Sequence, residues 1–247
     1  VYTVAEQEAT TDGLKFYSNE ISGEYTTGIT IKNKFTVPEN KIEVPVTKTW
    51  LDDNNSRLKR PTSIKYVLKG NGLTKEQEVI GNATTDAGWN YKFTNLPKYN
   101  AQGNEITYTV EEQEVNTGDL KFYNKQIAGF NVTNTFRIPD DKVKVEITKK
   151  WEDSSNVSNK RPASVKVELS DGANVVRTQE LTGTGNEWKH TFTDLPKYNS
   201  QGNTITYTLD EKEVNPGDLQ FYTKSIVGNT ITNTFTQSTD KINVNVS

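Results

Sequence analysis

Three polar residues in the chain, Lys48, Glu112 and Asn134, are of the types that can build a covalent amide bond between side chains. A neutral lysine amine is a nucleophile, and the carbonyl carbon of an asparagine amide held against it is an electrophile. A protonated carboxyl group beside them can polarise that carbonyl and pass a proton to the departing nitrogen. Attack of Lys48 on Asn134 would release ammonia, with Glu112 as the catalyst. The reaction turns over once, so the sequence predicts maturation of the chain itself and not an enzyme.

The same three residue types return about 100 positions later as Lys149, Glu211 and Asn233. All six lie in runs where apolar and polar residues alternate, which is the periodicity of a β-strand. Side chains two apart on a strand share a face, and each of the six falls on the apolar side. Burial of an unpaired charge costs several kcal/mol, so these positions require an explanation.

Alternation by itself leaves three interpretations open. A bulge or an edge strand could return the side chains to solvent. A buried lysine–glutamate ion pair could use the asparagine as a hydrogen-bond partner. The third interpretation is the amide-forming reaction. The same alternation directs Glu111 and Asp210, which adjoin the proposed catalysts, outward.

The strands that must position these residues belong to a repeated unit. Its motifs occur twice in the same order: VTKTW at 46–50 and ITKKW at 147–151, KRP at 59–61 and 160–162, LPKYN at 96–100 and 195–199, ITYTV at 106–110 and ITYTL at 205–209, and VTNTF at 132–136 and ITNTF at 231–235. A repeat of about 100 residues has the size of a domain. Short strands separated by turn clusters predict an all-β fold of antiparallel sandwiches.

The repeat phase predicts four segments. Residues 1–38 match the C-terminal part of a preceding repeat, 39–138 and 139–237 are complete repeats, and 238–247 match the first strand of a following one. The joints near Pro38, Pro139 and Thr239 are only a few residues long. Short joints favour a semi-rigid rod in which each repeat has its neighbours in the same chain as partners.

Composition limits the other possibilities. Hydrophobic residues make up only 32% of the 247 residues and charged residues 25%, which suits thin sandwiches with one wet face. The net charge is −3 with both signs mixed along the chain, so nucleic acid is not expected as a partner. No apolar run approaches the roughly 20 residues of a membrane span, and no signal-peptide pattern is present, so any export signal or wall anchor is expected outside this segment. Cysteine is absent, so a covalent staple must use other chemistry than a disulfide.

No cofactor or metal site is predicted. Oxygen atoms in the stretch from Asp52 to Asn55 could bind Ca²⁺, but the counterpart that follows Trp151 does not have a calcium-loop pattern. A solvated turn accounts for both stretches. His190, the only histidine, has no metal-binding partners in the sequence and is expected on a strand surface.

Taken together, the motifs VTKTW, KRP, LPKYN, YTVEE and TNTF resemble the Cna B-type (CnaB) repeats of collagen adhesins and pilins of Gram-positive bacteria. The resemblance implies a transthyretin-like, reversed-immunoglobulin sandwich of about seven strands. It also implies an isopeptide bond from Lys48 to Asn134 and another from Lys149 to Asn233, with Glu112 and Glu211 as catalysts. The N-terminal segment keeps the corresponding strand patterns, with Tyr2, Val4 and Glu6 on the inward face of one strand and Asn33 on the inward face of another. It has no lysine strand before them, so Asn33 is predicted to form no bond to a lysine in this chain.

On this resemblance we expect a structural stalk or spacer of a cell-wall-anchored adhesin, exposed on the surface of a Gram-positive bacterium. A separate head domain would then contact a host extracellular-matrix protein. The bond in the first repeat closes a loop of 86 residues (134 minus 48), for which the chain-entropy relation gives about 4 to 5 kcal/mol of stabilisation. The alternative function is that the repeats themselves bind a host matrix or cell-surface protein, for example by adding a strand at a sheet edge.

Overall fold

A computed structural model describes residues 2–236, and the regular elements in this range are all β-strands. The predicted strand in 238–247 lies outside the described residues. The chain divides into two compact units, one ending at Arg137 and the other beginning at Ile138. Helices long and apolar enough to cross a membrane do not occur in the described part of the chain.

The first unit begins with an isolated hairpin. Strand β1 (Tyr17–Glu24) pairs antiparallel with β2 (Gly28–Phe35), and Asn33 lies opposite Asn19. The sequence pattern predicts a further strand around Glu6, but residues 2–7 are not in a strand. This prediction is wrong because a strand requires an edge to pair with. In the complete repeat that follows, the equivalent strand pairs with a neighbour for which residues 2–36 have no counterpart.

Seven strands form the first complete module. They are β3 (Lys41–Leu51), β4 (Ser63–Gly70), β5 (Leu73–Ile80), β6 (Tyr91–Pro97), β7 (Thr109–Glu114), β8 (Tyr123–Ala128) and β9 (Asn131–Phe136). One sheet has the order β6-β3-β9-β8 and the other β5-β4-β7. The first and last strands, β3 and β9, are adjacent and parallel, while the other pairs are antiparallel.

The second module repeats this arrangement. Its strands are β10 (Lys142–Glu152), β11 (Ser164–Ser170), β12 (Val175–Thr182), β13 (Glu187–Pro196), β14 (Thr208–Lys212), β15 (Tyr222–Val227) and β16 (Thr230–Phe235). The sheets have the orders β13-β10-β16-β15 and β12-β11-β14, and β10 is parallel to β16. The predicted all-β fold of tandem sandwiches is confirmed.

The core of each module lies between its two sheets. In the first module β4 contributes Ile64, Tyr66 and Leu68, which are fully buried, as is Trp89 before β6. A β-carbon added at Gly81 would come within 2.1 Å of the Trp89 ring, so only glycine allows the backbone to pass this indole. Trp188 and Gly183 have the same relation in the second module, where the closest approach would be 2.3 Å. The two tryptophans are therefore core residues, 0% and 4% exposed.

The strand that carries the first lysine does contain a bulge, but not where it would affect that side chain. The register of β3 against β6 shifts between Ile42 and Val44. From Val44 onward alternation is regular, and Val46, Lys48 and Trp50 are all buried. The interpretation in which a bulge returns the lysine to solvent is therefore wrong.

Candidate functional site

The first module brings Lys48, Glu112 and Asn134 into the space between its sheets. The three residues are 2%, 1% and 0% exposed. Lys48 on β3 and Asn134 on β9 belong to one sheet, and Glu112 on β7 belongs to the facing sheet. In the parallel β3–β9 register Asn134 is paired with Trp50, two positions after Lys48, so the lysine and the asparagine share the inner face.

Lysine and glutamate are in contact in both modules. The Lys48 Nζ lies 2.8 Å from the Glu112 Oε1, and the Lys149 Nζ lies 3.3 Å from the Glu211 Oε1, with all four side chains fully buried. The Lys149 amine also donates a hydrogen bond to the carbonyl oxygen of Lys150 at 3.1 Å. Asn233 on β16 is 0% exposed, like its counterpart Asn134. The second module therefore assembles the same three groups independently.

The asparagine side chains have unusual surroundings. Within the described part of the chain, neither the Nδ2 nor the Oδ1 of Asn134 or of Asn233 has a hydrogen-bond partner. A buried polar group left without a partner costs about 1 to 3 kcal/mol, and such groups are rare in folded proteins. The lysine and glutamate thus form a buried ion pair, but the asparagine is not its hydrogen-bond partner.

Burial also changes the lysine amines. Removal from water lowers the pKa of Lys48 to about 8, although the neighbouring Glu112 carboxylate acts in the opposite direction. The pKa of Lys149 is lowered to about 8 for the same reason and against the same opposition from Glu211. A lysine with this pKa is neutral far more often near neutral pH than an exposed one, and the neutral amine is the nucleophilic form.

A tryptophan lies against each amine. The Lys48 Nζ is 4.1 Å from the centre of the Trp50 ring, and the Lys149 Nζ is 4.0 Å from that of Trp151. Trp50 is itself held by edge contacts with the rings of Trp89 and Tyr123. A spacing of two residues puts Trp50 on the same face of the strand as Lys48, but the sequence analysis gives Trp50 no function. Its recurrence two residues after each lysine is the signal that could have revealed this contact.

The turn after β3 is not the solvated turn that the sequence predicts. Asp52 is 4% exposed and Asn55 is 5% exposed. Arg60 donates from Nε and Nη2 to the two carboxylate oxygens of Asp52 at 2.7 and 2.6 Å, and the Tyr123 hydroxyl donates to the same group at 3.0 Å. Burial raises the pKa of Asp52, but these hydrogen bonds outweigh it and hold that pKa below its usual value. The prediction is wrong because a guanidinium and a phenol replace the water.

Asp153, Arg161 and Tyr222 form the same network in the second module. The arginine of the repeated KRP motif, eight residues after each aspartate, was the visible sign of this network in the sequence. No group of three histidine, cysteine, aspartate or glutamate side chains that could hold a metal ion occurs between residues 2 and 236.

The acidic neighbours of the proposed catalysts differ from them in position. The side chain of Glu111 is 48% exposed and pairs with Lys69 at 3.1 Å. Asp210 is 40% exposed and pairs with Lys212 and Lys224. Neither contacts a buried lysine. His190 lies on β13 with its ring 4.7 Å from that of Phe192.

The N-terminal segment contains two of the three groups, an asparagine and a glutamate. Asn33 on β2 is exposed, and its Nδ2 donates a hydrogen bond to the Glu6 Oε1 at 2.8 Å. In this segment the amide and the carboxyl group therefore pair directly with each other. In the complete modules the lysine amine is the group in contact with the carboxyl oxygen.

Fold and site together define a class: a repeat protein of β-sandwich modules, each with a lysine, a glutamate and an asparagine buried between its sheets. The family model described as "Cna protein B-type domain" matches residues 44–135 and 145–234. The chain belongs to the Cna B-type domain family, as its motifs predict.

The chain is also similar to a surface protein and to two solved structures of repeat units. A protein named "Collagen adhesin" from Staphylococcus aureus is 36% identical over 236 residues, which is 95% of this chain and 18% of that protein. The crystal structure of two B repeat units of the Staphylococcus aureus collagen binding protein is 35% identical, with a TM-score of 0.45, and the match covers 90% of this chain and 55% of the other. A single B repeat unit is 32% identical with a TM-score of 0.34, covering 80% of this chain and all of the other. The chain thus spans under a fifth of the length of the adhesin that it matches.

Proposed function

We propose that each complete module seals itself with an isopeptide bond, Lys48 to Asn134 in the first and Lys149 to Asn233 in the second, and that the sealed modules act as the stalk of a surface adhesin. The observation that carries the proposal is the pair of buried asparagine amides without hydrogen-bond partners, each sharing its core with a lysine–glutamate pair. If these amides had only a structural role, they would destabilise the fold. If they are reactants, they must be removed from water and must not be held by other hydrogen bonds.

The reaction balances without any further reagent. Transfer of a proton from the Lys48 ammonium to the Glu112 carboxylate gives a neutral amine and a carboxylic acid. The amine attacks the Asn134 carbonyl carbon while the acid donates a hydrogen bond to the carbonyl oxygen. The carboxyl group takes one proton from the attacking nitrogen and delivers one to the leaving amino group. The C–N bond of the asparagine amide breaks, ammonia leaves, and a secondary amide remains.

The place of the bond in the topology suits a load-bearing role. Lys48 and Asn134 lie on β3 and β9, the first and last strands of the module, where a pulling force enters and leaves it. A covalent bond there carries the force past the hydrogen-bonded strands between them. Membership of the Cna B-type family and likeness to a staphylococcal adhesin support the further proposal that such modules lie on the outside of a Gram-positive cell, in a protein that is anchored to the cell wall.

Intact-protein mass spectrometry tests the bond. The mass should fall below the sequence mass by two ammonia molecules, one for each complete module. Peptide mapping should find the branched peptides joining Lys48 to Asn134 and Lys149 to Asn233. Asn33, which has no lysine strand, should retain its side-chain amide. A full sequence mass would refute the proposal, and a branched peptide containing Asn33 would show that the repeat boundaries are wrong.

Glu112→Ala supplies the matched control, because the second module serves as an internal reference in the same molecule. The variant should lose a single ammonia molecule, from the second module. Glu112→Gln keeps the size of the side chain and should give the same result, which separates loss of the carboxyl group from an effect of the smaller alanine on folding. Loss of two ammonia molecules from both variants would show that Glu112 is not the catalyst.

The spacer role is tested by binding. A protein consisting of residues 39–237 should not bind immobilised collagen or other matrix proteins, because a spacer needs no ligand of its own. Saturable binding of these two modules would favour the alternative, in which the repeats themselves contact the host.

A further inference from the structure

A second lysine in each module bridges the two sheets at their open edge. Lys125 on β8 is paired in register with Asn134, so its side chain leaves the strand on the face that carries the asparagine. Its Nζ donates a hydrogen bond of 2.6 Å to the backbone carbonyl oxygen of Glu112 on the facing sheet. The donor is an ammonium group, which makes this a charge-assisted hydrogen bond.

The hydrogen bond from Lys125 reaches β7, the strand that carries Glu112, on the side where β7 has no neighbouring strand. In the sheet order β5-β4-β7, the strand that carries Glu112 is an edge strand with β4 as its single neighbour. A cavity of about 580 Å³ opens between β7 and β8, and Glu112, Lys125 and Asn134 are among the residues that line it. Lys125 therefore spans a gap that packing does not close.

The second module has the same bridge. The Lys224 Nζ donates to the carbonyl oxygen of Glu211 at 3.1 Å and also to the Oδ1 of Asp210 at 2.5 Å. Lys224 is paired in register with Asn233, and β14 is again an edge strand. In the N-terminal hairpin, which has no lysine strand to react, the position opposite Asn33 is Asn19. The bridging lysine thus occurs in both modules that contain a complete reactive group.

We propose that Lys125 and Lys224 are positioning residues for the amide-forming reaction, each holding the backbone of the catalytic glutamate against the sheet that carries the asparagine. The proposal rests on the proposed function. The nucleophile and the electrophile share a sheet, but the carboxyl group must reach them from the other sheet. A displacement of about 1 Å can cost two orders of magnitude in rate. A hydrogen bond that fixes the backbone of Glu112 would therefore increase the rate of amide formation.

The test measures ammonia loss during refolding. The chain is recovered unfolded from inclusion bodies, and a sample at time zero with the full sequence mass establishes that no bond has formed. After dilution from denaturant, mass spectrometry of acid-quenched and digested samples gives the rate for each module separately. Tryptophan fluorescence in the same samples follows folding. Lys125→Met removes the donor and keeps the length of the side chain, and Lys125→Arg keeps a charged donor.

In Lys125→Met, ammonia loss in the first module should slow by roughly tenfold or more, while the second module reacts at the wild-type rate and the fluorescence phase is unchanged. Lys125→Arg should restore most of the rate. A wild-type rate in Lys125→Met would overturn the positioning role and leave the proposed function intact. Equal slowing in both variants, or slowing that follows a slower fluorescence phase, would overturn it as well, since that result indicates a general effect on folding. Absence of ammonia loss in the wild-type chain would overturn the proposed function itself.

Discussion

At the scale of single residues, the burial that makes Lys48 costly for the fold is also what makes it reactive. A charged amine is disfavoured between two sheets, so the pKa of Lys48 is lowered, and the neutral form that results is the one that attacks a carbonyl. Formation of the amide would remove the titratable amine of Lys48 and release the Asn134 Nδ2 as ammonia, while the Oδ1 would remain as the carbonyl oxygen of the new amide. The cost of a buried titratable lysine would therefore be confined to the unreacted module.

This cost should be visible as a pH dependence of stability in a module that cannot react. Asn134→Ala keeps Lys48 and Glu112, so we expect Lys48 to retain its folded pKa of about 8, against 10.5 in the unfolded chain. Between these values the unfolded chain binds more protons, so the free energy of unfolding should rise with pH from 8 to 10.5, by about 3 kcal/mol in all. Below pH 8 this group should contribute no slope.

Urea unfolding at pH 8 and pH 10.5 provides the measurement. Asn134→Ala is compared with Asn134→Ala/Lys48→Met, so that the titration of all other groups cancels. If the two proteins differ by the same amount at both pH values, the pKa of Lys48 is not lowered in the folded module.

The alternation of β-strands made the six core residues predictable, because a period of two assigns each side chain to a face without knowledge of the rest of the fold. The contacts around them were not predictable in this way. Tyr123 reaches Asp52 across 71 positions of sequence, and no local pattern connects the two. Asp52 in isolation has the sequence of a turn, and the partners that bury it are visible only in three dimensions.

At the scale of secondary-structure elements, each site is built from three strands with different tasks. The parallel pair β3 and β9 brings together the lysine and the asparagine, and β7 on the facing sheet supplies the carboxyl group. The sequence predicts these strands because each carries its own apolar face. It also predicts a strand at Glu6, wrongly, since the pattern of a strand does not show whether a neighbour is present to receive its hydrogen bonds.

The close passage of backbone and tryptophan in each module gives an element-level prediction. Gly183→Ala would place a methyl group 2.3 Å from the Trp188 ring and should lower the free energy of unfolding of the second module by about 1 to 3 kcal/mol, as overpacking does. Gly185→Ala, two residues further on, meets no atom within 4 Å and should change it by less than about 0.5 kcal/mol. Denaturant unfolding of both variants in a Glu211→Ala background makes the comparison. Equal effects would mean that the indole moves aside without cost.

At the scale of the whole molecule, the chain consists of two compact units that each contain a full set of reactive groups. The proposed bonds close separate loops, one in each unit, so damage to one leaves the other intact. The family and the repeat were predictable from the sequence because the motifs recur in one order.

Pulling on single molecules from the two chain ends tests the load-bearing role. The wild-type chain should show no release of length from either complete module at forces that unfold ordinary β-sandwiches. In Glu112→Ala the first module should unfold and release up to roughly 300 Å, the extended length of the 86 residues between Lys48 and Asn134. Glu112→Ala/Glu211→Ala should show two such events. Release of the same length from the wild-type chain would show that the load does not pass through the bond.

The parallel register of β3 and β9, with the carboxyl group on the opposite sheet, has a consequence for quality control. A slip of one residue would turn Lys48 to the outer face, and a module whose sheets had not closed would keep Glu112 away from both reactants. Only a correctly folded module would therefore form the bond. The released ammonia would diffuse away, so the step would be irreversible. The proposed bond would then mark permanently each module that has once reached its native arrangement. Misfolded copies would lack the bond and would remain open to proteolysis.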